Sequence, residues 1–195
     1  MKELIIATQN EHKMKEYKEF FSEYKVLSLN DIGFVGEIDE TGETFEENSL
    51  IKAKAVSEWL KSQGKCVPVI ADDGGLCVDA LGGAPGVYSA RYAGNHDARA
   101  NRVKLLHELK GAKTRNAHYT DVLTKYYPDG HYVVGVGHTY GRITYKEYGD
   151  TSFGYDCIFY SFDLHKTFGK STKQEKNKVS HRGRALVELL KNDSK

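Results

Sequence analysis

Apolar residues open the chain as Leu4-Ile5-Ile6-Ala7, a continuous run of the length of a buried strand. Thr8-Gln9-Asn10 then reads as a turn, and Met14, Tyr17, Phe20 and Phe21 follow at helical spacing up to about Phe21. The first unit is therefore β-turn-α. Thr44-Phe45-Glu46-Glu47 has the T-x-x-E form of a capping box and opens a second helix through Leu50, Ala53, Val56 and Leu60, which stops near Gly64. A short strand with Val67, Val69 and Ile70 follows and is expected to end at the adjacent acids Asp72 and Asp73, with a Gly-rich turn from Gly82 to Gly86 beyond it. Asp97 to Lys110 reads as a third helix with Asp97 as N-cap and Gly111 just past its end. Residues 118–127 and 131–140 flank Pro128-Asp129-Gly130 as an antiparallel hairpin, Ile158 to Phe162 forms a further strand, and Arg184 to Lys191 a closing helix. Helix-linked strands combined with a hairpin define an α/β fold with a mixed sheet.

Composition narrows the class. At 195 residues, with no repeat, low-complexity tract or long linker, the chain reads as a single domain over residues 1–195. The basic and acidic side chains, 28 and 27, nearly cancel to a formal charge of +1, which argues against bulk attraction to nucleic acid or to an anionic membrane. A small anionic ligand needs only a local cluster and stays open. The apolar N-terminal run is too short for a signal peptide, and nowhere do the roughly 18 apolar residues of a membrane span occur. Cys66, Cys77 and Cys157 are odd in number and lack metal-ligand spacing, so no disulfide framework or zinc knuckle is expected. Cytoplasmic residence is the expectation.

Candidate chemistry concentrates at a few places. Asp72 and Asp73 follow a strand, where open α/β sheets bind ligands, and two neighbouring carboxylates repel unless a cation or proton lies near. Lys13 sits in the first turn of a helix, against the macrodipole; an anion at the free N–H groups would reverse that conflict, and so would plain solvent exposure. Asn48 and Lys52 share one helix face, Glu47 is most simply a capping residue, and Glu40 by itself reads as a surface acid. Phe153-Gly154-Tyr155-Asp156 combines two aromatics with an acid, a composition that serves either base stacking or ordinary packing. Ser180-His181-Arg182 reads as a capped helix start with cationic or polar donors.

Taken in order, these pieces resemble the inosine triphosphate pyrophosphatase family, hydrolases of non-standard purine nucleoside triphosphates. The resemblance is carried by Ala7-Thr8-Gln9-Asn10 with Lys13 and Glu16, by Glu40-Thr41-Gly42 with Thr44-Phe45, Glu47-Asn48 and Lys52-Ala53, and by the Ala71 to Gly94 block. Phe153 to Asp156 with Ile158-Phe159, and Glu175-Lys176 with Ser180 to Gly183 and Ala185-Leu186, complete it. It implies an elongated two-lobed fold with the nucleotide in a cleft between lobes, a divalent ion, usually Mg²⁺, and a homodimer. At matching positions Asp73 is implied as general base and metal ligand, with Glu40 a further ligand and Asp72 in support. Thr8, Gln9, Asn10, Glu11, His12, Lys13, Lys52, Gly74 and Lys176 fall at positions that bind substrate, mainly the triphosphate. Phe153, Gly154, Tyr155, Asp156, His181 and Arg182 fall where the base is held.

The implied reaction is in-line attack of water on the α-phosphorus with loss of pyrophosphate, selective for bases that present O6 as acceptor and N1–H as donor. Three residues depart from the family pattern: Gln9 in place of Gly, Gly74 in place of Ser, and Cys157 in place of Pro. Modified pyrimidine triphosphates, as in the related septum-inhibitor type of pyrophosphatase, are an alternative substrate class. A nucleotide-binding module weak in catalysis is the alternative from outside enzymology.

Overall fold

The computed structural model describes residues 3–94 and 96–194. β1 (Glu3–Ile6) lies parallel to β2 (Lys25–Leu27), with Leu4 opposite Val26, and parallel to β3 (Val69–Val78), with Ile6 opposite Ile70. α1 (Glu11–Phe20) connects β1 to β2, and α2 (Phe45–Ser62) precedes β3. Because β2 and β3 flank β1, the two connections run in opposite directions. Right-handed crossovers then set α1 and α2 on opposite faces, and the carboxyl end of β1, beside the Asp72–Asp73 stretch of β3, is the point of reversal where such sheets hold ligands.

Side-chain parity agrees. Ile5, Ala7, Val69 and Ala71 pack with Ala53, Val56 and Leu60 of α2, the last three fully buried. Successive residues on a strand point to opposite faces, so Asp73 follows Ala71 onto the α2 side and Asp72 follows Ile70 onto the other.

The remaining strands are β4 (Asn116–Tyr126), β5 (Tyr132–Ile143), β6 (Phe159–Ser161) and β7 (Lys166–Thr167). Among the described residues the strands form one sheet in the order β2-β1-β3-β4-β5-β6-β7. β5 with β6 and β6 with β7 are antiparallel, so the sheet is mixed, as the sequence indicates. Among the described residues α3 (Ala98–Glu108), α4 (Lys173–Val179) and α5 (His181–Asp193) complete the α-helices.

The chain divides into two compact units: residues 1–73, 122–135 and 188–195 in one, and 74–121 and 136–187 in the other. The second has its own core of Leu76, Val78, Leu105, Tyr119, Ile143, Ile158, Phe159 and Phe168. No helix among the described residues is long and apolar enough to cross a membrane.

One expectation is corrected. β3 does not stop at the acid pair but runs on through Gly74 and Gly75 to Val78. A Cβ at Gly74 would lie 2.4 Å from Asp121 Oδ1 and 2.5 Å from the Thr120 carbonyl oxygen, and one at Gly75 would lie 2.3 Å from Ser89 Oγ. The two glycines admit close neighbours within an extended strand.

α2 begins as its sequence requires. Thr44 Oγ1 accepts from the Glu47 N–H at 3.1 Å, and Glu47 Oε2 accepts from the Thr44 N–H at 3.1 Å. Thr44→Ala removes one half of that box and is expected to lower unfolding free energy by about 1 kcal/mol. Urea denaturation should show a lower midpoint at unchanged slope; an unshifted midpoint would mean the cap contributes nothing.

Candidate active site

The acid pair is held by two helices. Lys13, in the first turn of α1, places its Nζ 2.6 Å from Asp72 Oδ2, and Asp72 is 1 % exposed. Asn10 accepts the Lys13 N–H through Oδ1 at 3.2 Å and in turn donates its own N–H to Thr8 Oγ1, which orders the turn out of β1. The conflict between Lys13 and the helix dipole is thus offset by a carboxylate from β3. Gln9 and Glu11 are exposed beside it. The His12 side chain lies outside the described residues.

On the other face, Lys52 Nζ is 3.0 Å from Glu40 Oε1 and 3.7 Å from Asp73 Oδ1. One ammonium therefore serves two carboxylates from segments far apart in sequence. Asn48, fully buried one turn before Lys52, accepts the Gly42 N–H at 2.8 Å and so ties the Glu40 loop to α2. Glu40, which reads as an ordinary surface acid from sequence alone, belongs to this cluster. Glu47 caps the helix, its simplest reading.

The electrostatics follow from burial. Asp73 is pushed above the usual carboxylate range, first by desolvation and then by the negative charge of Glu40, against the pull of Lys52, Lys13 and a hydrogen bond from Asn48. Burial works against the Lys52 ammonium, but Asp72, Asp73 and Glu40 outweigh it and hold that lysine above its ordinary value. The result is a carboxylate of raised basicity next to a cation that remains charged.

The second unit gathers the other predicted residues. Ser180 starts α5, its Oγ accepting the Gly183 N–H at 3.1 Å. His181 stacks on Tyr119 at 4.7 Å between centroids, and Gly137 allows β5 to pass against the His181 carbonyl, where any Cβ would clash at 2.0 Å. Arg182 is 5 % exposed, with Nε 3.8 Å from Asp121 Oδ2.

Phe153 to Asp156 splits in role. Tyr155 is buried in the core, its hydroxyl donating to the Ser89 carbonyl at 2.7 Å, so packing accounts for it. Gly154 adopts a left-handed φ of 44° and gives its carbonyl to Arg102 Nη1 at 2.8 Å. Asp156 pairs with Lys176 at 2.5 Å, and the same ammonium lies 4.6 Å from the centre of the Phe153 ring. Lys176 therefore stands with the aromatic motif, whereas Lys13 and Lys52 stand with the acid pair of the first unit. Sequence reasoning missed Arg102, which also meets Glu147 at 2.6 Å, and the buried Asp121; their partners lie tens of residues away, with no local pattern to mark them.

The Ham1 family model matches residues 4–192. The chain belongs to the Ham1 family. It is 48 % identical over 196 residues to the dITP/XTP pyrophosphatase of Bacillus subtilis, covering 98 % of this chain and 96 % of that protein. It is 45 % identical over 198 residues to the dITP/XTP pyrophosphatase of Clostridium perfringens, covering 98 % and 97 %. Among solved structures, the Staphylococcus aureus Ham1 protein superposes with a TM-score of 0.87 at 38 % identity over the whole of both chains. A HAM1 protein from Coxiella burnetii superposes at 0.85 with 36 % identity, covering 97 % of this chain and 96 % of that one.

Within this Ham1 fold the three departures have different weights. Gln9 is exposed, and Cys157 is fully buried in the core of the second unit, where burial pushes its thiol up to about 11. Gly74 is the consequential one, because Asp121 fills the space in which a side chain would stand.

Lys52→Met removes the shared cation while preserving length. The expected loss at pH 7 is about 2 kcal/mol, below the roughly 3–5 of a fully buried pair because Glu40 is part-exposed. Without Lys52 the folded-state affinity of Asp73 for a proton rises further, so acidification relieves the repulsion and the loss shrinks towards pH 5. Urea titrations of both proteins at pH 5 and 7 check this; an equal loss at both values would contradict it.

Proposed function

We propose that the chain hydrolyses the non-standard purine nucleoside triphosphates dITP, XTP and ITP to the monophosphate and pyrophosphate, clearing them from the nucleotide pool. The observation that carries the reading is Lys52 held between Glu40 and Asp73 at the sheet's switch point, with Lys13 on Asp72 alongside. A binding module needs cations for a triphosphate but has no use for a buried carboxylate of raised basicity. Family membership and relatives named dITP/XTP pyrophosphatase support the same reading.

A divalent ion fits the donors. Among the described residues no three His, Cys, Asp or Glu side chains form a closed metal site. Mg²⁺, however, characteristically takes one or two carboxylates and completes its shell with water and substrate phosphates. Glu40 and Asp73, hard oxygen donors that already share one cation, would hold it, with Asp72 in support. When bound, Mg²⁺ supplies positive charge to the phosphate oxygens and acidifies nearby water.

The chain's own residues do the rest. The start of α1, with Thr8 and Lys13, offers donors to phosphate oxygens, and Lys52 neutralises further charge. Asp73 takes a proton from the attacking water as general base. The water adds to the α-phosphorus in line as the bond to the pyrophosphate oxygen breaks. On the second unit, Phe153 offers a ring face to the base, and His181 and Arg182 offer donors to O6. Adenine presents an amino group there and leaves those donors unmatched, which allows discrimination of up to about 10⁴-fold.

The same reading includes a homodimer. Tyr88, 59 % exposed with the Arg91 guanidinium 5.3 Å from its ring centre, supplies the aromatic and arginine that commonly anchor interfaces.

With Mg²⁺, the protein is expected to convert dITP, XTP and ITP to monophosphate and pyrophosphate and to act far more slowly on ATP and GTP, as measured by product chromatography. Release of orthophosphate would refute the cleavage position. Asp73→Asn should lower kcat by about 10²- to 10⁴-fold with nucleotide binding retained. In the wild type, kcat/KM should fall on acidification, because only the ionised Asp73 accepts the proton; near-wild-type turnover of the variant would remove Asp73 as base.

A further inference from the structure

Asp121 lies at the end of the second unit's share of β4 and is fully buried, with its carboxylate 3.8 Å from Arg182 Nε. A buried carboxylate is costly to desolvate and is kept ionised by cations placed against it. Arg182 is itself 5 % exposed, and its guanidinium stays charged at any working pH. The pair joins the last residue of the unit's β4 segment to the first turn of α5, 61 positions on in sequence.

The second observation comes from β3. Gly74 is the position at which the chain departs from the Ser of its family pattern, and the volume a side chain would occupy there contains Asp121 Oδ1 at 2.4 Å and the Thr120 carbonyl oxygen at 2.5 Å from the ideal Cβ. A Cβ contact that short does not occur in real structures, so the missing side chain at 74 and the carboxylate at 121 fit one another. We propose that Asp121 is a positioning residue for base recognition: seated against Gly74, its carboxylate holds the Arg182 guanidinium where it reads the O6 edge of the purine. This rests on the assignment of Arg182 to the base under Proposed function. Asp121 touches no reacting atom, so its effect falls on substrate affinity and discrimination and not on the chemical step.

The test compares kcat and KM for dITP and dATP in the wild type, Asp121→Asn, Gly74→Ser and the double variant Gly74→Ser/Asp121→Ser. Asp121→Asn keeps the shape and loses the charge. Its KM for dITP is expected to rise about tenfold with kcat within about twofold, while dATP hydrolysis barely changes, so the preference for dITP falls by a similar factor. Gly74→Ser crowds both the Asp121 carboxylate and the Thr120 carbonyl oxygen of β4 and should lower the same preference, and the double variant should lose no more than the larger single loss, because the effect on preference passes through Asp121. An unchanged dITP-to-dATP ratio in Asp121→Asn overturns the assignment, as do additive losses in the double variant. Should Asp121→Asn not fold, Gly74→Ser and the double variant decide: an unchanged ratio in Gly74→Ser or a deeper loss in the double variant overturns the proposal, and a reduced ratio that the added Asp121→Ser does not deepen supports it. Wild-type conversion of dITP to dIMP and pyrophosphate is the control for the function itself. Its failure overturns both readings, whereas normal wild-type turnover with unaltered variant preference removes Asp121 alone.

Discussion

The structure depends on keeping two neighbouring buried carboxylates on one strand, and it does so by giving each its own lysine. Strand geometry sends Asp72 and Asp73 to opposite faces. The crossovers around β1 place a helix on each face, and each helix supplies an ammonium, Lys13 to Asp72 and Lys52 to Asp73. Had both acids faced the same way, the repulsion between them would have forced one to take a proton. Instead Asp72 is locked at 2.6 Å in a tight pair, while Asp73 shares its cation with Glu40 at a looser 3.7 Å. Burial, with the negative charge of Glu40, then holds Asp73 above the usual carboxylate range despite its share of Lys52.

Local chemistry made much of this legible in the sequence. The Thr44–Glu47 capping box, the Asp97 cap, the Pro-Asp-Gly hairpin and the Ser180 helix start all depend on residues within a few positions of each other, and all stand where the pattern places them. What the sequence hid was decided by distant partners. Gly74 and Gly75 resemble turn residues, yet the strand runs straight through because β4 and Ser89 press against the space above them. α4 has no apolar periodicity and is held by the Thr172–Glu175 capping box and the Lys166–Glu175 pair, whose lysine lies in β7. β2 is only three residues long, too short to stand out as a pattern.

The site shows the same division. The acids and lysines were legible as residues, and only the family resemblance grouped them: Glu40 by itself reads as a surface acid, and it is Asn48 that draws its loop onto α2. Lys176, expected among the phosphate-binding residues, stands over Phe153 and pairs with Asp156. Tyr155, one of the two aromatics of its motif, is core, whereas Phe153 is only half-buried. Arg102 and Asp121 fix the backbone carbonyl of Gly154 and the guanidinium of Arg182, and neither carries a mark in the local sequence.

The central claim, that this paired arrangement directs water at the α-phosphorus, is tested most directly by a single turnover of dITP in H₂¹⁸O with mass analysis of both products. The account predicts one ¹⁸O atom in dIMP and none in pyrophosphate. Label in the pyrophosphate would place the attack on the β-phosphorus and contradict it.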